Sequence, residues 1–68
     1  MQMVPVSSSN LASVGYENGI LIIRFHSGWA YQYTGVPVSV YNGLMNAPSK
    51  GKFFHAYIGK RYGECRIG

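Results

Sequence analysis

The fold is decided within residues 21–45, LIIRFHSGWAYQYTGVPVSVYNGLM, because the spacing of the apolar residues changes there from two to about 3.6. Before Pro37 the apolar side chains recur at every second position, which predicts two strands with one apolar face each. The members of these faces are Leu21, Ile23 and Phe25, followed by Trp29, Tyr31 and Tyr33. After Pro37 they recur at the spacing of an amphipathic helix, in Val40, Tyr41, Leu44 and Met45.

Further elements are predicted on both sides of this stretch. Residues 11–16 alternate in the same way and precede Glu17-Asn18-Gly19, which tolerates the positive φ of a tight hairpin turn. Val4-Pro5-Val6 can add a short edge strand, a position in which proline is tolerated. A second helix is expected from Ser49, a good N-cap residue, with one apolar face made by Phe53, Phe54, Tyr57, Ile58 and Tyr62. Residues 63–68 show no clear period.

Together these elements predict a single α+β domain over residues 1–68. Its antiparallel sheet has three to four strands and is covered on one face by one or two C-terminal helices. The core of so short a chain is thin, and its predicted members are Leu21, Ile23, Phe25, Val40, Leu44, Phe54 and Ile58. Gly43, inside the first helix, costs about 1 kcal/mol relative to alanine, so either close packing requires it or the helix is short.

Composition argues against catalysis, metal binding and a membrane location. The chain has two acidic residues, Glu17 and Glu64, and neither is expected to lie buried beside His26 or His55, as a catalytic triad would require. No ligand-type spacing occurs among the His, Cys and Glu residues, so no metal or other cofactor is expected. Cys65 is the single cysteine, which favours the reducing cytoplasm. No apolar run approaches the roughly 20 residues of a membrane span, and no signal peptide is evident.

Positive charge is concentrated near the C-terminus of the sequence. The net charge is +4, and five of the six Lys and Arg residues follow position 49. Lys50 and Lys52 lie in the first turn of the second predicted helix, where the helix dipole disfavours cations, and Lys60 and Arg61 lie at its end. The four would form one basic stripe that follows the phosphates of RNA or another polyanion. The alternative is an ordinary solvated surface, for which such a net charge is common.

The Tyr31-Gln32-Tyr33 segment has two interpretations. Tyrosines two apart on a strand point the same way and can stack on unpaired bases. They also belong to the face that the helices are expected to cover, where they would be core residues with their hydroxyl groups at the rim. The second interpretation is favoured for at least one of them.

The ordered set of motifs resembles the KTSC domain over nearly the whole chain, from about Val4 to Tyr62. The resemblance is carried by Ser8-Ser9, Val14-Gly15-Tyr16-Glu17, Leu21-x-Ile23-x-Phe25, Gly28, Tyr31-Gln32-Tyr33, Val36-Pro37, Tyr41-x-x-Leu44 and Ser49-x-Gly51-x-Phe53-Phe54-x-x-x-Ile58. That short module is named for its place at the C-terminus of some lysyl-tRNA synthetases and also occurs alone in small bacterial and phage proteins. RNA binding has been suggested for it, so the resemblance implies RNA as a ligand.

Two functions are consistent with the sequence, and neither is enzymatic. The first is a nucleic-acid-binding module, with RNA as the favoured ligand, that uses Tyr31, Tyr33, Lys50, Lys52, Lys60 and Arg61. The second is a protein-interaction module, such as a phage or prophage accessory protein that docks on a host protein. A continuous basic stripe would favour the first, and an exposed apolar patch of several hundred Å² the second.

Overall fold

The computed structural model describes residues 2–68, so Met1 of the predicted domain lies outside the described residues. This part of the chain contains five strands and two helices: β1 Val4–Pro5, β2 Leu11–Glu17, β3 Ile20–Phe25, β4 Ala30–Thr34, α1 Val38–Asn46, α2 Lys50–Tyr57 and β5 Gly63–Arg66. The strands form one sheet in chain order, and every neighbouring pair is antiparallel. The predicted α+β fold is confirmed, including the short edge strand at Val4–Pro5. Neither of the two helices is long and apolar enough to cross a membrane.

Local backbone geometry sets the register of the meander. Asn18 and Gly19 have φ values of 52° and 80°, as the tight β2–β3 turn requires. In β2, Leu11 and Val14 are three positions apart and would point to opposite faces of a regular strand. A register shift between Leu11 and Ser13 inserts one extra residue, and this bulge brings both side chains to the same face.

The core lies between one face of the sheet and the two helices. It consists of Leu11, Val14, Leu21, Ile23, Tyr33, Val36, Leu44, Phe54 and Ile58. Five of the seven predicted core residues are buried, and Phe25 and Val40 are partly buried against this cluster. Tyr16 joins α1 to the sheet, because its ring stacks on Tyr41 at 4.7 Å and its hydroxyl donates to the Val36 carbonyl at 2.6 Å.

Phe54 attaches α2 to the sheet. Its ring is 8% exposed and makes edge contacts with Phe25 and Tyr33, at centroid distances of 5.5 and 5.6 Å. On the α1 side, a Cβ at Gly43 would lie 2.7 Å from Cζ of Phe53. Close packing of the two helices is therefore the reason for the glycine inside α1.

Three details differ from the prediction. The tail forms β5, whose four residues are all exposed, so no alternation of buried and exposed positions marks it in the sequence. Trp29 was expected on the apolar face, but Gly28 has φ 100° and β4 begins after Trp29, which leaves the indole 46% exposed. The second helix ends at Tyr57 instead of continuing to Tyr62, because the backbone leaves helical geometry at the cap residue Ile58, where φ is −120°, and Lys60 then adopts a left-handed φ of 63°.

Replacing Phe54 with alanine is expected to lower the free energy of unfolding by about 3–5 kcal/mol. The change removes a buried ring and both of its edge contacts, and a small domain has little stability in reserve. Thermal and urea unfolding followed by circular dichroism would measure the loss. Tyr57→Ala is the matched control, because it removes an exposed ring from the same helix and should change stability by about 0.5 kcal/mol or less. A Phe54→Ala protein that unfolds like the parent would contradict this packing.

Candidate nucleic-acid interface

Four of the six basic residues lie at the two ends of α2. Lys50 and Lys52 are in its first turn, and Lys60 and Arg61 are in the turn that follows it. Lys52, Lys60 and Arg61 are exposed, and Lys50 is half-buried. The predicted stripe thus has two halves, one at each end of the short helix.

The N-terminal half is built around the cap of α2. The Ser49 hydroxyl accepts a hydrogen bond from the Lys52 backbone N–H at 3.4 Å, as expected for an N-cap serine. The Lys50 ammonium group donates to the Ala47 carbonyl at 3.3 Å, which fixes its position without neutralising its charge. The first turn contains no acidic residue, so its two ammonium groups add to the positive end of the helix dipole.

The C-terminal half has a different structural basis. The Arg61 Nε donates to the Ala56 carbonyl at 2.8 Å, which satisfies an otherwise free carbonyl at the end of α2. Cations suit this end of a helix dipole. Lys60 projects from a left-handed turn and lines a depression together with His55 and Glu64, so one carboxylate partly offsets the charge here.

A shallow cleft of about 480 Å³ lies between the two halves, at the open end of the core. Its walls come from the start of β2, the β3–β4 turn and α2, and they include Ser9, Asn10, His26 and His55 above a floor of Phe25 and Phe54. Ser9 also lines the neighbouring depression that contains Lys50, and His55 lines the one that contains Lys60. The three depressions therefore run side by side from Lys50 to Lys60, whereas Lys52 and Arg61 lie beside this path and line none of the three.

Sequence reasoning did not place Ser9, Asn10 or His26 in a site. Their positions depend on contacts between distant segments: the His26 ring Nε2 lies 2.8 Å from the Ser8 carbonyl, and the His26 backbone N–H donates to the Asn10 carbonyl at 3.0 Å. Asn10 also lies close to Gly51, where a Cβ would come within 2.8 Å of its side-chain amide. Contacts of this kind between loops leave no periodic pattern in the sequence, so they could not be predicted from it.

Tyr33 is a core residue and does not present a ring to a ligand. Its side chain is 0% exposed, and its hydroxyl donates to the Glu64 carboxylate at 3.2 Å. Tyr31 is half-buried, with its ring edge-on to Phe25 at 6.0 Å. The core interpretation is thus confirmed for Tyr33, and the two tyrosines do not form an open stacking platform.

The other two arginines lie away from α2, on β3 and β5. Arg24 donates from Nη1 to the Gly28 carbonyl at 3.1 Å. The Arg66 guanidinium lies over the Trp29 ring, 4.0 Å from its centroid. Because these two cations lie elsewhere on the surface, removing them is a control for removing two of the cations near α2, such as Lys52 and Lys60.

The residues that the structure describes do not assemble a metal centre. Within 2–68, no three His, Cys, Asp or Glu side chains lie close enough together to hold a metal ion.

Comparison with known proteins identifies close relatives of this module. A family model described as the KTSC domain matches residues 7–62. An uncharacterized protein of Stutzerimonas stutzeri (strain A1501) is 42% identical over 57 residues, which are 81% of this chain and 80% of the relative. The lysine–tRNA ligase of Trichormus variabilis is 50% identical over 38 residues, which are 56% of this chain but 7% of the ligase. The crystal structure of a KTSC domain protein from Yersinia pestis has a TM-score of 0.95 and 42% identity, and the match covers 98% of this chain and 97% of that one.

Tyr33→Phe is expected to lower the free energy of unfolding near neutral pH by about 0.5–1.5 kcal/mol, because the hydrogen bond to Glu64 is lost. Burial, with the Glu64 charge as a second cause, raises the pKa of Tyr33 above its ordinary value. The folded state then holds this proton more tightly than the unfolded state does. The resulting stabilisation is complete below about pH 10 and is lost as the pH rises further.

The stability gap between the parent and Tyr33→Phe should therefore shrink above about pH 10, since phenylalanine does not titrate. Urea unfolding of both proteins at neutral and alkaline pH would measure it. A gap that stays constant or widens with pH would contradict the buried, neutral phenol.

Proposed function

The chain belongs to the KTSC domain family, and we propose that it is a non-catalytic RNA-binding module that holds the phosphate backbone along α2. The ligand crosses the surface between the two basic halves, Lys50 with Lys52 and Lys60 with Arg61. The polar cleft between them supplies hydrogen-bonding groups.

One observation carries this proposal: four of six basic residues gather at the ends of one helix of 8 residues. Such a helix is about 12 Å long, and one strand of a duplex advances about 3.4 Å per nucleotide. Cations at the two ends of a helix of this length can contact phosphates a few nucleotides apart on one strand. The side chains of Lys50 and Arg61 donate hydrogen bonds to neutral carbonyl groups, so their charges stay available to an anion.

The chemistry of the cleft fits the same ligand. Ser9, Asn10, His26 and His55 offer hydroxyl, amide and imidazole groups, which bind phosphate and sugar oxygens in many nucleic-acid complexes. Glu64 is the one acidic residue that lines any of the three depressions along this path. The charged side chains that line these depressions are Lys50 at one end and Lys60 with Glu64 at the other, so the path carries a net positive charge.

The relatives supply the reason to favour RNA over DNA. A lysine–tRNA ligase, by its name, acts on a tRNA, and a segment similar to this chain forms 7% of three such ligases. A module carried by such a protein lies near RNA. A binding surface along α2 of this chain would recognise the phosphate backbone with little dependence on sequence.

Protein docking is the second candidate, supported by the exposed aromatic and aliphatic groups away from α2. Trp29 carries the stacked Arg66, and tryptophan and arginine are common at the energetic centres of protein interfaces. Met3, Ile22 and Ile67 line a separate depression of about 220 Å³. A stable interface takes about 800 Å² from each partner, and because this candidate is supported by one cation–π pair and one depression, we rank it second to the basic path.

A salt titration of RNA binding tests the proposal. For single strands, each neutralised phosphate contributes about 0.7 to the slope of log affinity against log salt, so four contacts give a slope of about −3. Lys52→Gln/Lys60→Gln should reduce the slope to about −1.5 and weaken binding at low salt. Its stability should stay near that of the parent, because exposed charges contribute little. Fluorescence anisotropy of a labelled oligonucleotide at several salt concentrations would provide both values.

Arg24→Gln/Arg66→Gln is the matched control, since it removes the same number of charges from other positions. It should keep a slope of about −3. Absence of RNA binding by the parent at low salt would overturn the proposal. So would equal loss in the two double variants, which would mean that net charge alone attracts the RNA.

A further inference from the structure

α2 carries an aromatic pair on the side away from the polar cleft. Phe53 and Tyr57 are one helical turn apart, and their rings lie 4.7 Å apart at 42°. Phe53 is half-buried against Gly43 of α1, which fixes its ring, whereas Tyr57 is 56% exposed. Within residues 2–68, Tyr57 is not among the side chains that build the core or pack against it. The fold therefore leaves a supported but open ring near Lys52.

A shallow apolar depression adjoins this ring. It measures about 460 Å³, and its lining includes Ala47, Pro48, Lys52, Phe53, Ala56 and Tyr57. Its surface is mainly apolar, and Lys52 is the charged residue in the lining. A ligand that fills it must combine a flat apolar face with a negative charge nearby.

An unpaired nucleotide meets both requirements. A base can stack on the Tyr57 ring, as bases do on aromatic side chains of single-strand-binding proteins, while its phosphate lies near the Lys52 ammonium group. A purely apolar partner would have to remove water from Lys52 without neutralising it, which is unfavourable. A base inside a duplex has both faces covered by its neighbours and is not free to stack on the ring.

We infer that Phe53, Tyr57 and Lys52 form a stacking subsite for an unpaired nucleobase, so that this domain selects single-stranded over double-stranded nucleic acid. The inference rests on the proposed binding of a polyanion along α2 and specifies its ligand. Tyr57 supplies the stacking surface, Phe53 holds that ring in place, and Lys52 contacts the adjoining phosphate. The base-stacking role that the sequence suggested for Tyr31 and Tyr33 is thereby assigned to Tyr57 on the helix.

Removing the ring tests the subsite. Tyr57→Ala should weaken binding of a mixed-sequence RNA strand of roughly 12 nucleotides by about 5- to 150-fold, the equivalent of one stacked base. Tyr57→Phe should bind like the parent because it keeps the ring. The salt slope should be the same in all three proteins, since no phosphate contact changes. Trp29→Ala, which removes the exposed ring beside Arg66, is the control and should bind like the parent.

Two further probes assign the effect to the base. The parent should bind the same RNA as a perfect duplex more weakly than the single strand, and Tyr57→Ala should remove that preference. A strand of abasic nucleotides should bind the parent and Tyr57→Ala equally. Unchanged single-strand affinity in Tyr57→Ala, or an equal loss for the single strand and the duplex, would overturn the stacking subsite. If Lys52→Gln/Lys60→Gln still loses binding in that case, the proposed polyanion function stands alone, whereas a parent that binds no RNA refutes both.

Discussion

Burial of the Phe54 ring against Phe25 and Tyr33 sets the orientation of α2, and through it the position of every group on this helix. Each residue of an α-helix is rotated by about 100° from the last. With Phe54 inside, Lys52 and Ala56 must face solvent, and Tyr57 must project beside Phe53. A domain of 68 residues has few other contacts that would hold the helix at another angle. The position of the proposed binding surface is therefore defined by a packing contact in which no charged group takes part.

Periodicity was sufficient to predict the elements that bury one face. Alternation in β3 and β4 and the change at Pro37 identify the meander and α1, since a half-covered element must repeat its apolar residues on one side. Periodicity failed for residues that do not belong to an element with one buried face. β5 lies at the sheet edge with every residue exposed, so it has no apolar face to repeat. Trp29 has the spacing of Tyr31 and Tyr33, but the positive φ at Gly28 places it before the strand begins.

The candidate site was predictable in its charges and not in its shape. The sequence shows that Lys50, Lys52, Lys60 and Arg61 lie close along the chain, and any helix there brings them to one region. It does not show that Ser9 and His26, which are 17 positions apart, line a common cleft. That proximity follows from antiparallel pairing of β2 with β3, and from loop contacts that have no periodic signature. The tyrosine-x-tyrosine segment misled for a related reason, because a strand pattern does not distinguish a ring that binds from one that packs.

Aromatic residues in this domain divide into two groups, those that pack the core and those of the proposed stacking subsite. Tyr16, Tyr33 and Phe54 hold the layers together, and their loss affects stability before anything else. Tyr57 is held outside the core by Phe53, and it lines one depression with Lys52, a lysine that works against the helix dipole. An exposed ring and unfavourable cations on one short helix do not help this helix to fold, and local conflicts of this kind tend to occur where a protein binds something. Because Tyr57 and Lys52 take no part in the contacts of Phe54 with Phe25 and Tyr33, changes at these two exposed positions should alter the proposed binding while leaving those contacts intact.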